Sequence, residues 1–278
     1  MPLAQRDALE EVLEGWQDDL PPTWRGATAG TRLGFDAVEP ALQLEPWEPI
    51  FPARRGKVFP GAPKGAHIFR AFDDVAPADV RCVILGQDPY PCPAFSTGRA
   101  FEAGNVAQWR ELDKMFSVSV RVFIQLICAA RTGEAGLAAS FSEWPRLLAA
   151  IEGGRVALEP AAQLADRWVS QGVLLLNSSL TLSRFAVAID PHQAHGHLPL
   201  WRPFILAVLR HLLARGAPLL CIGFGEVAAD GLRLAGVPDS QAILRQHPAR
   251  GDAVLALENP FVAGNRRLAA MGAAPIDW

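Results

Sequence analysis

From Val80 onward, short apolar runs alternate with segments of helical periodicity. Val80–Leu85, Val173–Leu176, Pro218–Ile222 and Ala242–Leu244 are short and almost wholly apolar, as expected of buried strands. Helix-length segments separate them, near 117–130, 158–169, 202–215 and 226–234. The clearest is 202–215, where Phe204, Ile205, Val208, Leu209, Leu212 and Leu213 share one face and Arg202, Arg210 and Arg215 lie elsewhere. Such alternation predicts an α/β protein: three layers, α/β/α, around a central, mostly parallel four-stranded sheet. Before this region, Leu3, Leu9, Val12, Leu13 and Trp16 recur at helical spacing and predict a first helix over 5–17. From Pro21 to Lys64 the chain is Pro/Gly-rich, and loops and short turns are expected there, pinned to the body by Trp24, Phe35, Trp47 and Phe51. The expected organisation is one domain over 1–278, with 1–57 a helical and Pro/Gly-rich extension packed on it.

Half of the 278 residues are hydrophobic and 20% are charged, which excludes global disorder and permits a sizeable core. The net charge of −3 excludes binding of nucleic acid by bulk charge, so such a function would need a local basic face. Cys82, Cys92, Cys128 and Cys221 lie far apart with no C-x-x-C, which argues against zinc, iron–sulfur and disulfide frameworks. The thiols are expected to be reduced and the protein cytoplasmic. Met1 to Leu20 is acidic and amphipathic, unlike a signal peptide. No apolar run approaches the roughly 20 residues of a membrane span, so no membrane association is expected. His192, His195 and His197 fall within six residues, but their spacing suits no single helix face, and no metal is assigned to them.

The chemistry lies at the strand ends. Leu85 runs into Gly86-Gln87-Asp88-Pro89-Tyr90, Leu176 into Asn177-Ser178-Ser179, and Leu244 into Arg245-Gln246-His247-Pro248. In open α/β sheets, ligands bind at the carboxyl ends of strands. An acid, an amide and an imidazole are thus delivered toward one rim. Gly, Asp, Asn and Pro also make good turns, and singly each segment has that ordinary explanation. Three together favour a site.

Gly86-Gln87-Asp88-Pro89-Tyr90 resembles the water-activating motif of family 1 uracil-DNA glycosylases. The order of the other segments agrees: Gly98-Arg99-Ala100-Phe101 eleven residues beyond Tyr90, the strand Gly172–Asn177, then Gln193-Ala194-His195-Gly196-His197, His247-Pro248 and the closing Pro275-Ile276-Asp277-Trp278. The similarity runs from about Val58 to the C-terminus. It implies an enzyme that hydrolyses the N-glycosidic bond of flipped-out deoxyuridine in single- or double-stranded DNA and so initiates base-excision repair. No metal or cofactor is implied, and a monomer is expected. By the resemblance, Asp88 positions the attacking water and stabilises the cationic sugar, while His247 donates to uracil O2 as it becomes anionic, assisted by the backbone at Gln87. Phe101 stacks on the base and Asn177 reads N3–H and O4, a pattern cytosine reverses, which gives roughly 10⁴–10⁵-fold rejection. Tyr90 stands against C5 and excludes the methyl group of thymine.

The departures concern the grip on DNA. The family's histidine after the motif tyrosine is here Pro91. The proline–serine loop that holds the phosphate backbone has no clear counterpart, Ser117 and Ser119 being the nearest candidates. After His247-Pro248 come Ala249, Arg250 and Gly251, so a serine is lost and the place of the leucine that fills the vacated stack falls on Gly251. Arg250 and Arg184, with Arg245 and Arg121, are the candidate DNA contacts. Two alternatives stay open at this point: a glycosylase of broader base preference, and a DNA-binding protein for uracil or abasic sites with slow turnover.

Overall fold

The computed structural model describes residues 2–114, 118–184 and 190–278. Its elements, in chain order, are β1 (Leu3–Ala4), α1 (Gln5–Leu13), α2 (Pro22–Arg25), β2 (Gln43–Leu44), β3 (Cys82–Gly86), α3 (Val118–Thr132), α4 (Trp144–Glu152), α5 (Ala161–Val169), β4 (Val173–Asn177), α6 (Leu198–Ala214), β5 (Leu220–Phe224), α7 (Glu226–Ala235), β6 (Ala242–Arg245), α8 (Asp252–Leu255) and α9 (Pro260–Ala270). The four predicted strands form one parallel sheet in the order β4-β3-β5-β6. Every residue of β3, β4 and β5 is buried, as a sheet covered on both faces requires.

The two faces are covered by different helices. On one side Leu232 of α7 meets the sheet at Gly223, and α6 packs on α7. On the other, α9 brings Gly264 against Leu220 and Ile222, with α3 packed beside it. Aromatic clusters thicken both layers. Trp16, Phe69, Phe72, Trp201 and Phe204 meet edge to face or stacked between the extension and α6. Phe101, Phe123, Phe224, Phe261 and Trp278 do the same under the other face, where the Trp278 indole also donates to the Phe261 carbonyl at 3.1 Å.

Several boundaries differ from the sequence reading. The first helix stops at Leu13, because Gly15 takes a left-handed conformation and Trp16–Asp19 continue as a 3₁₀ turn. Each sheet strand runs one or two residues further toward its carboxyl end than its apolar run, since the ladder carries on into Gly86, Asn177, Phe224 and Arg245. Helices α4 and α9 have no counterpart among the predicted segments. In the extension, Trp24 is fully buried and its indole donates to the Val75 carbonyl at 2.7 Å, but Trp47 is 77% exposed and pins nothing.

The extension is woven into the body. Leu3 and Ala4 pair antiparallel with Leu44 and Gln43. The buried side chain of Gln5 donates to the His192 carbonyl at 3.0 Å and fills the space left by Gly196. The Glu39 amide donates to the His195 carbonyl at 2.9 Å, and His192 Nε2 lies 2.8 Å from the Gln43 carbonyl oxygen. The contacts of Gln5, Glu39 and Gln43 converge on one short segment, residues 192–197, which forms a π-helical turn over Gln193–His197 at the entrance to α6.

Candidate active site

Gly86 and Asn177 are partners in the parallel ladder, so the carboxyl ends of β3 and β4 open side by side. Ser178 ties them closer: both its amide and its hydroxyl donate to the Gly86 carbonyl at 2.9 Å. Asn177 is 3% exposed and its side-chain amide forms no hydrogen bond among the described residues, yet neither amide atom is among the fully enclosed ones that lack a partner, so the amide stays open at the strand ends, where a ligand could take it up. A Cβ on Gly86 would lie 2.6 Å from Asn177 Oδ1 and 3.4 Å from both Ala100 and the Phe101 ring. Glycine there is what lets the Asn177 amide and the Phe101 ring share one floor.

Phe101 is the one non-glycine residue among those described with a positive φ, 60°. That strain is of order 1–3 kcal/mol and persists only where surroundings impose it. They do. The Phe123 ring lies parallel to the Phe101 ring at 4.5 Å, and the Phe224 ring meets it edge-on at 5.1 Å. The Ala100 amide donates to the Leu175 carbonyl at 3.1 Å. Arg99, whose side chain is fully buried, bonds Asp166 and Asp74 at 2.6 Å and Glu102 at 3.3 Å, fixing the loop from three directions. One face of Phe101 is thus backed by Phe123, leaving the other for a flat ligand.

Asp88 lies just beyond β3 with both carboxylate oxygens held. Oδ2 accepts from Gln87 Nε2 at 2.9 Å, and Oδ1 accepts from Nε2 of Gln193. Burial pushes its pKa up to about 7, against the smaller opposing effect of the Gln87 hydrogen bond. Tyr90 packs on the core with its hydroxyl buried, and burial, then the nearby charge of Glu102, raises its pKa, so it stays a neutral phenol.

His247 follows β6, which is separated from β3 by β5 alone. Two strand spacings place the two loops about 10 Å apart, a distance a base and its sugar carbon would bridge. The Ala249 amide donates to His247 Nδ1 at 3.2 Å. With Nδ1 accepting, the neutral imidazole carries its proton on Nε2, which is thereby a donor. Burial and then the charge of Arg250 lower its pKa, which keeps it neutral.

The remaining predicted residues separate. Arg250 is exposed on the turn after His247, and α3, which carries Ser119 in its first turn, packs against that turn. Ser117 lies outside the described residues. Arg184, expected at the DNA surface, has its guanidinium committed to Glu48 and to the Gln43 carbonyl. Arg245 caps the Glu258 carbonyl at 2.7 Å. Gly251 adopts φ 56°, ψ −117°, with Phe141 beside it, and the Phe141 ring lies 5.0 Å from the Arg121 guanidinium. Two residues of the site had no assigned role in the sequence. Gln193 and Arg99 were visible only as members of quoted motifs, and two of the three partners of Arg99, Asp74 and Asp166, come from distant segments.

No family model matches the sequence. Among curated proteins, the uracil-DNA glycosylase of Mycobacteroides abscessus is 32% identical over 278 residues, 99% of either chain. The uracil-DNA glycosylase 1 of Streptomyces avermitilis is 32% identical over 78% of this chain and 80% of its own. Among solved structures, the wild-type UNG of Nitratifractor salsuginis aligns with TM-score 0.59 at 23% identity, covering 91% of this chain and 92% of that one. The mimivirus uracil-DNA glycosylase aligns with TM-score 0.53 at 16% identity, over 83% and 75%. At those identities the two structures speak for the fold alone. The sequence likeness does more, since it runs the whole length of both chains, and by it this protein belongs to the uracil-DNA glycosylase family.

Proposed function

We propose that the protein hydrolyses the bond between uracil and deoxyribose in DNA, with Asp88, Asn177, Phe101, Tyr90, Gln87 and His247 as its working groups. The observation that carries this reading is the side-chain amide of Asn177, uncommitted among the described residues, beside the backed ring of Phe101. Together they offer one hydrogen-bonding edge and one stacking face, the two features a flipped pyrimidine presents.

The chemistry follows from the charges. As the C1′–N1 bond stretches, the sugar becomes cationic and the bonding pair stays with uracil. Asp88, ionised, stabilises the sugar and takes a proton from the attacking water. Its pKa of about 7 makes it a base matched to neutral pH. Neutral His247 donates from Nε2 to the oxygen on which negative charge collects. Tyr90 closes the C5 side. Contact with DNA falls to Arg250 and Ser119, since Arg184 is engaged elsewhere. The test is release of free uracil from single- and double-stranded oligonucleotides, with matched thymine and cytosine oligonucleotides as controls. Release of uracil alone, abolished by Asp88→Asn, is the expected result; no release from either strand form would overturn the proposal.

A further inference from the structure

Gln193 reaches Asp88 from 105 positions away in the chain. It is 4% exposed, and while its Nε2 donates to Asp88, its Oε1 is buried with no partner among the described residues. The orientation of the amide is not arbitrary. An ionised carboxylate only accepts, so the nitrogen must face Asp88 and the oxygen must point past it. A buried carbonyl oxygen beside a carboxylate makes a pair of acceptors, which is what a water molecule with two O–H bonds requires.

We propose that Gln193 is a positioning residue for the nucleophilic water, its nitrogen fixing Asp88 and its carbonyl oxygen accepting one O–H of the water while Asp88 accepts the other. This rests on the reading of Asp88 given above. In the step itself the water oxygen bonds to C1′, the C1′–N1 pair leaves with uracil, and the water proton bound to Asp88 passes to that carboxylate. The second O–H remains on the sugar as its new hydroxyl, still held by Gln193. Gln193 thus chooses which lone pair of the water faces C1′, and orientation of this kind contributes to rate without touching the sugar.

The framework around Gln193 is built to hold it still. The Gln193 amide donates to the Asp190 carbonyl at 3.0 Å, and the same π-turn is gripped by Gln5, Glu39 and Gln43 of the extension. The titratable groups on that segment are Asp190, His192, His195 and His197, with His247 across the sheet. Asp190 and His192 pair at 2.9 Å. His197 lies between Thr181 Oγ1 and Ser183 Oγ at 2.9 Å each, kept neutral by burial that lowers its pKa to about 3. His195 is exposed, and His247 is held neutral. The principal influences on Asp88 are therefore its burial and the amides that bond it.

The experiment is single-turnover uracil release by the full-length protein carrying Gln193→Leu or Gln193→Met, compared with wild type and Asp88→Asn across the pH range. Both Gln193 variants should slow release about 10- to 100-fold at saturating DNA, with KM little changed. The acid limb of the rate profile should move to higher pH, because the carboxylate has lost an N–H donor that favoured its ionised form. Rates and acid limbs like wild type, or a loss with the limb unmoved, would overturn the inference. An active Asp88→Asn would instead remove the reading on which it rests. A second measurement needs no variant: the side-chain amide protons of Gln193 in wild type should shift with pH at the midpoint of the rate profile. Amide protons indifferent to pH would equally overturn it.

Discussion

Replacing Asp88 with asparagine should make the protein more stable as well as inactive, and the gain should exist only at neutral and alkaline pH. The unfolded chain releases the Asp88 proton near 3.8, whereas the folded protein keeps it to about 7. Between those values the native state binds more protons than the unfolded one, so stability falls as pH rises through this window and stays low above it. The whole interval corresponds to about 4 kcal/mol, less in proportion as water reaches the carboxylate. The asparagine side chain has nothing to ionise. Its NH₂ would meet the amide nitrogens of Gln87 and Gln193, but Gln193 can turn over and give its unpartnered Oε1 a donor. A net gain of about 2–3 kcal/mol at pH 8 is expected, or a rise in Tm of about 4–12 °C for a chain of this size. Below pH 4 it should vanish. Calorimetric melts of wild type and Asp88→Asn at acid and alkaline pH, run beside the uracil-release assay, decide the matter. A variant no more stable than wild type at pH 8, or one stabilised equally at both pH values, would refute the argument that burial holds this carboxylate at high energy.

Three further outcomes follow from the same geometry. Tyr90→Ala should open room for a methyl group and give weak release of thymine while uracil stays preferred; continued refusal of thymine in a loose mismatch would mean that another wall excludes it. Arg250→Ala should lower activity on duplex DNA more than on single strands, where no vacated stack must be filled; an equal loss on both strand forms would contradict this. Arg99→Met should destabilise by about 2–4 kcal/mol in urea unfolding, because Glu102 is left buried without its cation, while Asp74 and Asp166, more than half exposed, turn to water.

What could be read from the sequence divides along a physical line. The sheet strands were legible because burial on both faces leaves an unbroken apolar run, and β3, β4 and β5 have that form. Their ends stood out because the strand order β4-β3-β5-β6 delivers Asn177, Asp88 and His247 to one rim of the sheet. Helix α9 carried start signals, an asparagine that caps the amides of Phe261 and Val262 and a proline after it, but Gly264 and Asn265 break the apolar rhythm inside it. Helix α4 likewise begins on Trp144-Pro145 and ends at Gly153, signals easily lost among neighbouring turns. The contacts of Gln193 and Arg99 were beyond reach. Each is defined by partners from distant segments, and neither residue type announces that it is buried. Arg184 shows the same limit from the other side, for its ion pair with Glu48, a residue of the extension, could not be read from the sequence.

The backbone at Gly251 sets a limit on redesign of the turn after His247. At φ 56° and ψ −117° a side chain has room, since a Cβ would find nothing nearer than 4.0 Å, but the dihedral angles themselves disfavour one. Gly251→Leu would therefore strain the turn that carries His247 before the leucine could contribute a wedge. Any engineered change of grip on duplex DNA is better placed at neighbours such as Arg250, which is exposed and lies outside the left-handed region.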